Sequence, residues 1–356
     1  MKTLSISQIQ GILLTLLFAL SLTACDDNNN NTFPSSKTEK AIGNTRPKIG
    51  LVLGGGGAKG SAEIGVLEIL EKMGIQFDCI AGSSMGAVIG SLYAAGIPAD
   101  SIEKLMRKKN WMKLFDKSKI NLTKGLITQE SQDHNNLGLV VRPYLQRELD
   151  LVLSNKGCHL FEDLKIPFRC TATRVEESGA FIPEICKEGV VATGVVASMS
   201  HPFFIFPWKH EKKYLYDGGI LNNLPVNLVR DMGADIIIAV DIENSKKIRT
   251  DELAYYLKND AKYAPLYKYI TGKIKEHVAY SDPILNWLEN RPDITMRDNF
   301  IKEAENNDSF IFIHVDLDDK SVADFSIKSI NDMIERGKKA AEEHRTELER
   351  VVKAIK

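Results

Sequence analysis

Two groups of residues in this chain have the types and spacing that acyl transfer would need. Gly82-Ser83-Ser84-Met85-Gly86 fits GxSxG, the nucleophile elbow that presents a serine hydroxyl on a tight strand-to-helix turn. Further on, Asp217 stands directly before Gly218 and Gly219, a carboxylate placed where a turn begins. A pentad with three fixed positions recurs in unrelated proteins, so the flanking elements have to test it. The competing reading is a glycine-rich turn whose serines only cap the following helix.

The flanks have the required pattern. Residues 77–81 read as a short buried strand and 87–95 as an apolar, small-residue helix packed close to a sheet. Residues 48–53 form another buried-strand pattern that runs into Gly54-Gly55-Gly56-Gly57-Ala58-Lys59-Gly60. A helix with apolar spacing at Ile64, Leu67, Ile69 and Leu70 follows over 61–73. A glycine-rich loop at a helix N-terminus offers free N–H groups to an anion, either a phosphate or the oxyanion of acyl transfer.

Gly55, Gly57 and Gly60 have the GxGxxG spacing of dinucleotide-binding folds, but the acidic residue that should close the second strand is misplaced. Asp78 lies at the start of that strand, and the far end is the GxSxG turn. The phosphate loop of nucleotide hydrolases requires Gly-Lys-Ser/Thr, whereas this chain has Lys59-Gly60-Ser61. The oxyanion reading gains by elimination.

A serine nucleophile needs a base. His134, His159, His201, His210, His277, His314 and His344 sit in no catalytic signature, and none is assigned a role. Asp217 is the alternative, between an extended stretch at 212–216 and a helix expected to start near Pro225. A carboxylate is a weak base and needs a partly apolar setting, which Tyr216, Ile220 and Leu221 could supply. Lys59 would add positive charge near the loop or lie solvated.

Gly54 to Gly60, Gly82 to Gly86 and Asp217-Gly218-Gly219 resemble, in order and type, the three signatures of patatin-like phospholipases. Ala197-Ser198-Met199-Ser200-His201-Pro202 is similar to the family's segment before the hairpin that leads to the aspartate. The resemblance implies a Ser84–Asp217 dyad without histidine, an oxyanion hole at Gly55, Gly56 and Gly57, and no cofactor or metal. It implies hydrolysis of phospholipid or lysophospholipid esters through an acyl-enzyme. The same dyad would serve a soluble esterase or thioesterase, and a non-catalytic lipid-binding lipoprotein would keep the fold alone. The expected fold is a three-layer α/β/α patatin-like domain with a mainly parallel central sheet and a mostly helical C-terminal extension.

The organisation around that domain is also legible. The apolar run from Gly11 to Leu22 is shorter than the ~20 residues a membrane span needs and suits a signal-peptide core. Leu22-Thr23-Ala24-Cys25 resembles a bacterial lipobox, which implies cleavage before Cys25 and lipidation of its thiol. The expected divisions are a leader at 1–24, a polar tether at 25–47, the hydrolase domain at 48–242 and a mainly helical region at 243–356 packed on the core. The expected location is the bacterial cell envelope, on the periplasmic face. Asp26 and Asp27 resemble an inner-membrane retention signal of enteric-type bacteria.

Within these divisions, 167–174 and 179–186 read as paired strands, and 235–240 and 310–315 as further buried strands. Residues 258–277 carry the pattern of a docked surface helix or a basic interfacial one, and 326–353 read as one long charged helix. The net charge of −1 and the lack of any nucleic-acid module imply no polyanion partner. Besides Cys25 there are Cys79, Cys158, Cys170 and Cys186, read as buried thiols, with a Cys170–Cys186 bond open if the hairpin register pairs them.

Overall fold

The computed structural model describes residues 46–108, 142–243 apart from 177, 203–204, 206 and 211–212, single positions between 258 and 275, and 281–289 and 296–355. The expected leader, lipidation site and nearly all of the tether lie outside the described residues, as does most of the 258–277 helix. Among the described residues no helix is long and apolar enough to cross a membrane.

In chain order the elements are β1 (Ile49–Leu53), α1 (Ser61–Lys72), β2 (Cys79–Gly82), α2 (Met85–Ala94), α3 (Ala99–Arg107), α4 (Arg142–Ser154), β3 (Phe168–Val175) and β4 (Phe181–Cys186). They continue with α5 (Val191–Ser198), β5 (Trp208–His210), β6 (Lys213–Asp217), α6 (Val226–Asp231) and β7 (Ile236–Asp241). The last are α7 (Ser281–Glu289), α8 (Met296–Asn306), β8 (Phe310–His314), α9 (Ile327–Glu343) and α10 (Arg345–Ala354). Short 3-10 turns at Gly57–Gly60 and Gly218–Ile220 follow β1 and β6.

The strands form one eight-stranded sheet in the order β5-β6-β3-β2-β1-β7-β8, with β4 also paired to β3. The pairs β3-β2, β2-β1, β1-β7 and β7-β8 are parallel, while β4, β5 and β6 run antiparallel to their neighbours. Successive strand residues face opposite sides, and here both sides are apolar. Leu51, Leu53, Ile80, Ile238, Val240, Ile311 and Ile313 join the core formed with α1, α2, α5 and α9. Val52, Ala81, Ile237, Ala239, Phe310 and Phe312 join a second core with α6 and α8. The result is the expected three-layer arrangement, because a sheet buried on both faces must be covered by helices on both faces.

The helices on the first face approach at backbone distance. A Cβ at Gly65 would lie 1.9 Å from the Ile334 carbonyl, and one at Gly337 1.9 Å from that of Ala62, so α1 and α9 touch through paired glycines. The long terminal helix expected over 326–353 is instead interrupted at His344, whose φ of −96° and ψ of 16° leave the helical region. Its ring Nδ1 bonds the Ala340 carbonyl while its N–H donates to Ala341, so a local side-chain bond replaces the regular helical pattern there.

The hairpin register pairs Cys170 directly with Cys186, and both are free thiols, as are Cys79 and Cys158. Burial pushes the Cys170 thiol well above its usual range, and the adjacent Cys186 thiol adds to the shift.

Candidate active site

The central strands deliver the candidate residues to one point. β3 carries β4 along one edge, which leaves the other edge to β2 and β6 in turn. Gly82 at the end of β2 lies opposite Cys170, and Asp217 at the end of β6 lies opposite Ala172. At about 3.3 Å per residue along a strand, two positions on β3 separate the ends of two elements far apart in sequence. Parallel β2 and antiparallel β6 thus run toward each other along β3.

β2 ends in the elbow. Ser84 has φ 51° and ψ −120°, and it is the sole non-glycine residue with positive φ among the described residues. Holding such a residue there costs on the order of 1–3 kcal/mol, offset by the surrounding packing. The turn closes only because its glycines lack side chains. A Cβ at Gly82 would meet the Gly86 carbonyl at 2.5 Å, and one at Gly86 would meet the Leu53 carbonyl at 2.4 Å. The Ser84 N–H donates to Ser198 Oγ at 2.9 Å, from the end of α5. The Ser84 side chain makes no cap bond to α2, which removes the reading of this serine as a simple helix cap.

The Ser84 hydroxyl instead donates to Asp217 Oδ2 at 2.7 Å. The other carboxylate oxygen, Oδ1, accepts from the Gly219 N–H at 2.7 Å, and the Asp217 N–H donates to the Ser200 carbonyl at 3.1 Å. Asp217 is 4% exposed, with Tyr216 and Ile220 buried beside it and Leu221 half-buried. Gly218 packs against Thr171 of β3, where a Cβ would lie 2.2 Å from Thr171 Oγ1. Three histidine rings make other bonds: His159 to Asp150, His314 to Asp241 and His344 to the Ala340 carbonyl.

The glycine-rich loop closes the site from β1, and its three candidate residues are used differently. Gly55 lies against Ser84, since a Cβ there would be 3.0 Å from Ser84 Cβ. Its N–H is already committed to the Asn223 carbonyl at 3.1 Å. Gly56 is backed by Ile242, and Gly57, at φ 56°, by the Val322 carbonyl, which also accepts from the Ala58 N–H at 2.8 Å. Among the described residues the Gly56 and Gly57 N–H groups donate to no protein acceptor, so they remain available to a substrate oxygen. Lys59 is 1% exposed, which overturns the solvated reading of its side chain.

Glu63, in the first turn of α1, is fully buried, and among the described residues neither carboxylate oxygen has a hydrogen-bond partner. Burial pushes its carboxyl well above the usual range and Asp241 adds repulsion, while the nearby Gly54 backbone works the other way. A carboxyl whose folded pKa exceeds its unfolded one loses stability as pH rises from the unfolded value toward the folded one. That loss is about 1.4 kcal/mol per unit of difference. Glu63→Gln is therefore expected to melt higher than the parent chain, by a margin that grows as pH rises from about 4 to neutrality. Thermal melts across that range test it, and a margin independent of pH would count against a titrating Glu63.

Ser198, Asn223, Ile242 and Val322 support the site without having been assigned a role in it from sequence. Ser198 stands in the 197–202 segment and Asn223 between the Asp217 turn and Pro225, but their types alone do not announce what they bond. Val322 acts through its carbonyl, which has no sequence signal.

A family model for patatin-like phospholipases matches residues 51–230. The chain belongs to the patatin-like phospholipase family. The chain is similar to lysophospholipase nte1 of Aspergillus fumigatus, 34% identical over 213 residues that cover 58% of this chain and 13% of that protein. It is also 33% identical over 202 residues to mouse patatin-like phospholipase domain-containing protein 6, covering 56% of this chain and 14% of that one. The chain thus spans a small part of these relatives' length. Among solved structures, VipD from Legionella pneumophila aligns with a TM-score of 0.45 and 15% identity over 85% of this chain and 67% of that one.

Proposed function

We propose that this chain is a serine acyl hydrolase that cleaves ester bonds of phospholipids or lysophospholipids, with Ser84 as nucleophile and Asp217 as base. The observation that carries the reading is the 2.7 Å bond from Ser84 Oγ to Asp217 Oδ2 at a strained elbow. Family membership and relatives named lysophospholipase support the lipid ester as substrate.

In this mechanism Asp217 takes the Ser84 proton as Oγ attacks the ester carbonyl. The developing oxyanion is received by the Gly56 and Gly57 N–H groups, while Gly55 shapes the wall beside Ser84. Collapse breaks the bond to the alcohol, which leaves with the proton from Asp217 and forms the acyl-enzyme. Water then attacks the acyl carbon and gives its proton to Asp217, and the proton returns to Ser84 as the fatty acid departs. The Gly219 N–H on Asp217 Oδ1 keeps Oδ2 aimed at the serine throughout.

The test is labelling by a fluorophosphonate, with fatty-acid release measured from phospholipid vesicles, lysophospholipid micelles and a soluble aryl ester. Lipid turnover that disappears in Ser84→Ala is the expected outcome. Equal labelling of Ser84→Ala would sink the nucleophile assignment, and turnover of the soluble ester alone would reject the lipid substrate.

The same reading places the enzyme on a lipid anchor at Cys25, in the bacterial envelope on the periplasmic face, because Leu22-Thr23-Ala24-Cys25 resembles a lipobox and a polar tether follows. Cys25→Ser is expected to move the full chain from the membrane fraction to the soluble one. Unchanged fractionation would reject the anchor.

A further inference from the structure

The Asp217 turn continues for six residues to Asn223, which reaches across to the glycine loop. Gly55 is held there at both of its polar groups. Its N–H donates to the Asn223 carbonyl at 3.1 Å, and its own carbonyl accepts from Asn223 Nδ2 at 3.0 Å. The same Nδ2 donates to Glu243 Oε1 at 2.8 Å, so both carboxamide hydrogens are used and the amide orientation is defined. Asn223 Oδ1 then lies between the two glycine segments, 2.3 Å from where a Cβ of Gly55 would stand and 2.5 Å from that of Gly219.

A trans peptide is planar, and its C=O and N–H point in opposite directions. Pinning the Gly55 oxygen therefore also sets the direction of the Gly56 N–H, which belongs to the same peptide unit. Glycine is the residue whose peptide planes turn most freely, so a loop of four glycines would otherwise sample many orientations. Donors that must reorient during the reaction lose much of their advantage over water.

We propose that Asn223 is the positioning residue of the oxyanion loop, fixing the Gly55–Gly56 peptide so that the Gly56 N–H faces the acyl oxygen, with Glu243 orienting its carboxamide. This rests on the hydrolase reading above. It adds a coupling between the base and the oxyanion donors, since one turn carries Asp217 at its start and the loop clamp at its end. Glu243 is in turn tied to β7 through its N–H, which donates to Asp241 Oδ1 at 3.3 Å.

The test compares an aryl ester with its thionoester, whose sulfur is a much weaker hydrogen-bond acceptor and draws little from an oxyanion hole. The purified chain, Ser84→Ala, Asn223→Ala and Asn223→Asp are assayed on both substrates, with melting temperatures recorded. Asn223→Asp keeps the shape of the side chain, but in its ionised form has no N–H for the Gly55 carbonyl, so it serves if the alanine variant fails to fold. The expected result is a fall of about 10²-fold in kcat for the ester, little change in KM, and a much smaller fall for the thionoester. Equal losses on both substrates would mean a merely structural role and would overturn the proposal, as would ester turnover within twofold of the parent chain. Failure of the underlying hydrolase reading shows separately, as parent and Ser84→Ala chains that behave alike.

Discussion

Ser84→Ala is expected to lower kcat for ester hydrolysis by about 10⁴-fold or more while leaving the fold intact. The hydroxyl it removes is the one bonded to Asp217, and the neighbouring serine cannot replace it. Ser83 is buried, its hydroxyl has no hydrogen-bond partner among the described residues, and its N–H is tied to the Leu53 carbonyl. Alanine keeps a Cβ at the strained position, so the turn geometry has no reason to relax. Asp217→Asn should cost about 10³- to 10⁴-fold, because the amide preserves the shape of the turn but cannot take up the serine proton. Residues that act as a unit have non-additive effects, so the double variant should be about as slow as Ser84→Ala alone. Steady-state rates with a burst-phase assay check all three. A double variant slower than Ser84→Ala by the full Asp217→Asn factor would show that Asp217 acts independently of this serine.

Gly55→Ala is the second large effect expected, with kcat reduced by about 10²- to 10³-fold at nearly unchanged KM. A methyl group there would meet Asn223 Oδ1 at 2.3 Å and Ser84 Cβ at 3.0 Å. The carboxamide is held by two donated bonds, so relief comes from moving the loop, Asn223 or Ser84. Each of these misaligns donors with the acyl oxygen, and positioning errors near 1 Å are worth about 10²-fold in rate. Gly55 contributes no donor of its own, because its N–H already serves the Asn223 carbonyl. The variant therefore tests loop placement without deleting a backbone donor. Full activity in Gly55→Ala, with a parent-like melting temperature, would mean that the loop does not confine the reacting carbonyl.

The parts of the site legible in the sequence are those set by local rules. The alternation of buried strands with glycine turns and helices gave usable positions for β1, β2, β7 and β8 and for the elbow between β2 and α2, with ends displaced by only a residue or two. Ser84 and Asp217 were recognisable because a tight turn restricts residue types over a few positions, whatever the rest of the chain does. The charge pattern of the terminal helix runs on through His344 and hides the break there, where one side-chain bond to the Ala340 carbonyl interrupts the continuity. The sequence does not separate a charged neighbour of the site from a solvated surface residue at Lys59, since burial of a long side chain depends on what packs over it.

By itself the sequence determined that a serine would stand on a strained elbow, that a carboxylate would start a glycine turn, and that the strands would be buried on both faces. Each of these follows from steric limits and apolar patterning within about ten residues. Only the tertiary structure decided that Ser84 and Asp217 meet, by letting β2 and β6 share one edge of β3. It also decided which groups hold the glycine-rich loop: the Asn223 amide, the Val322 carbonyl and the Ile242 side chain, drawn from segments that are distant along the chain. Such contacts are chosen by sheet order and packing, and a backbone carbonyl looks the same in every residue that could supply it.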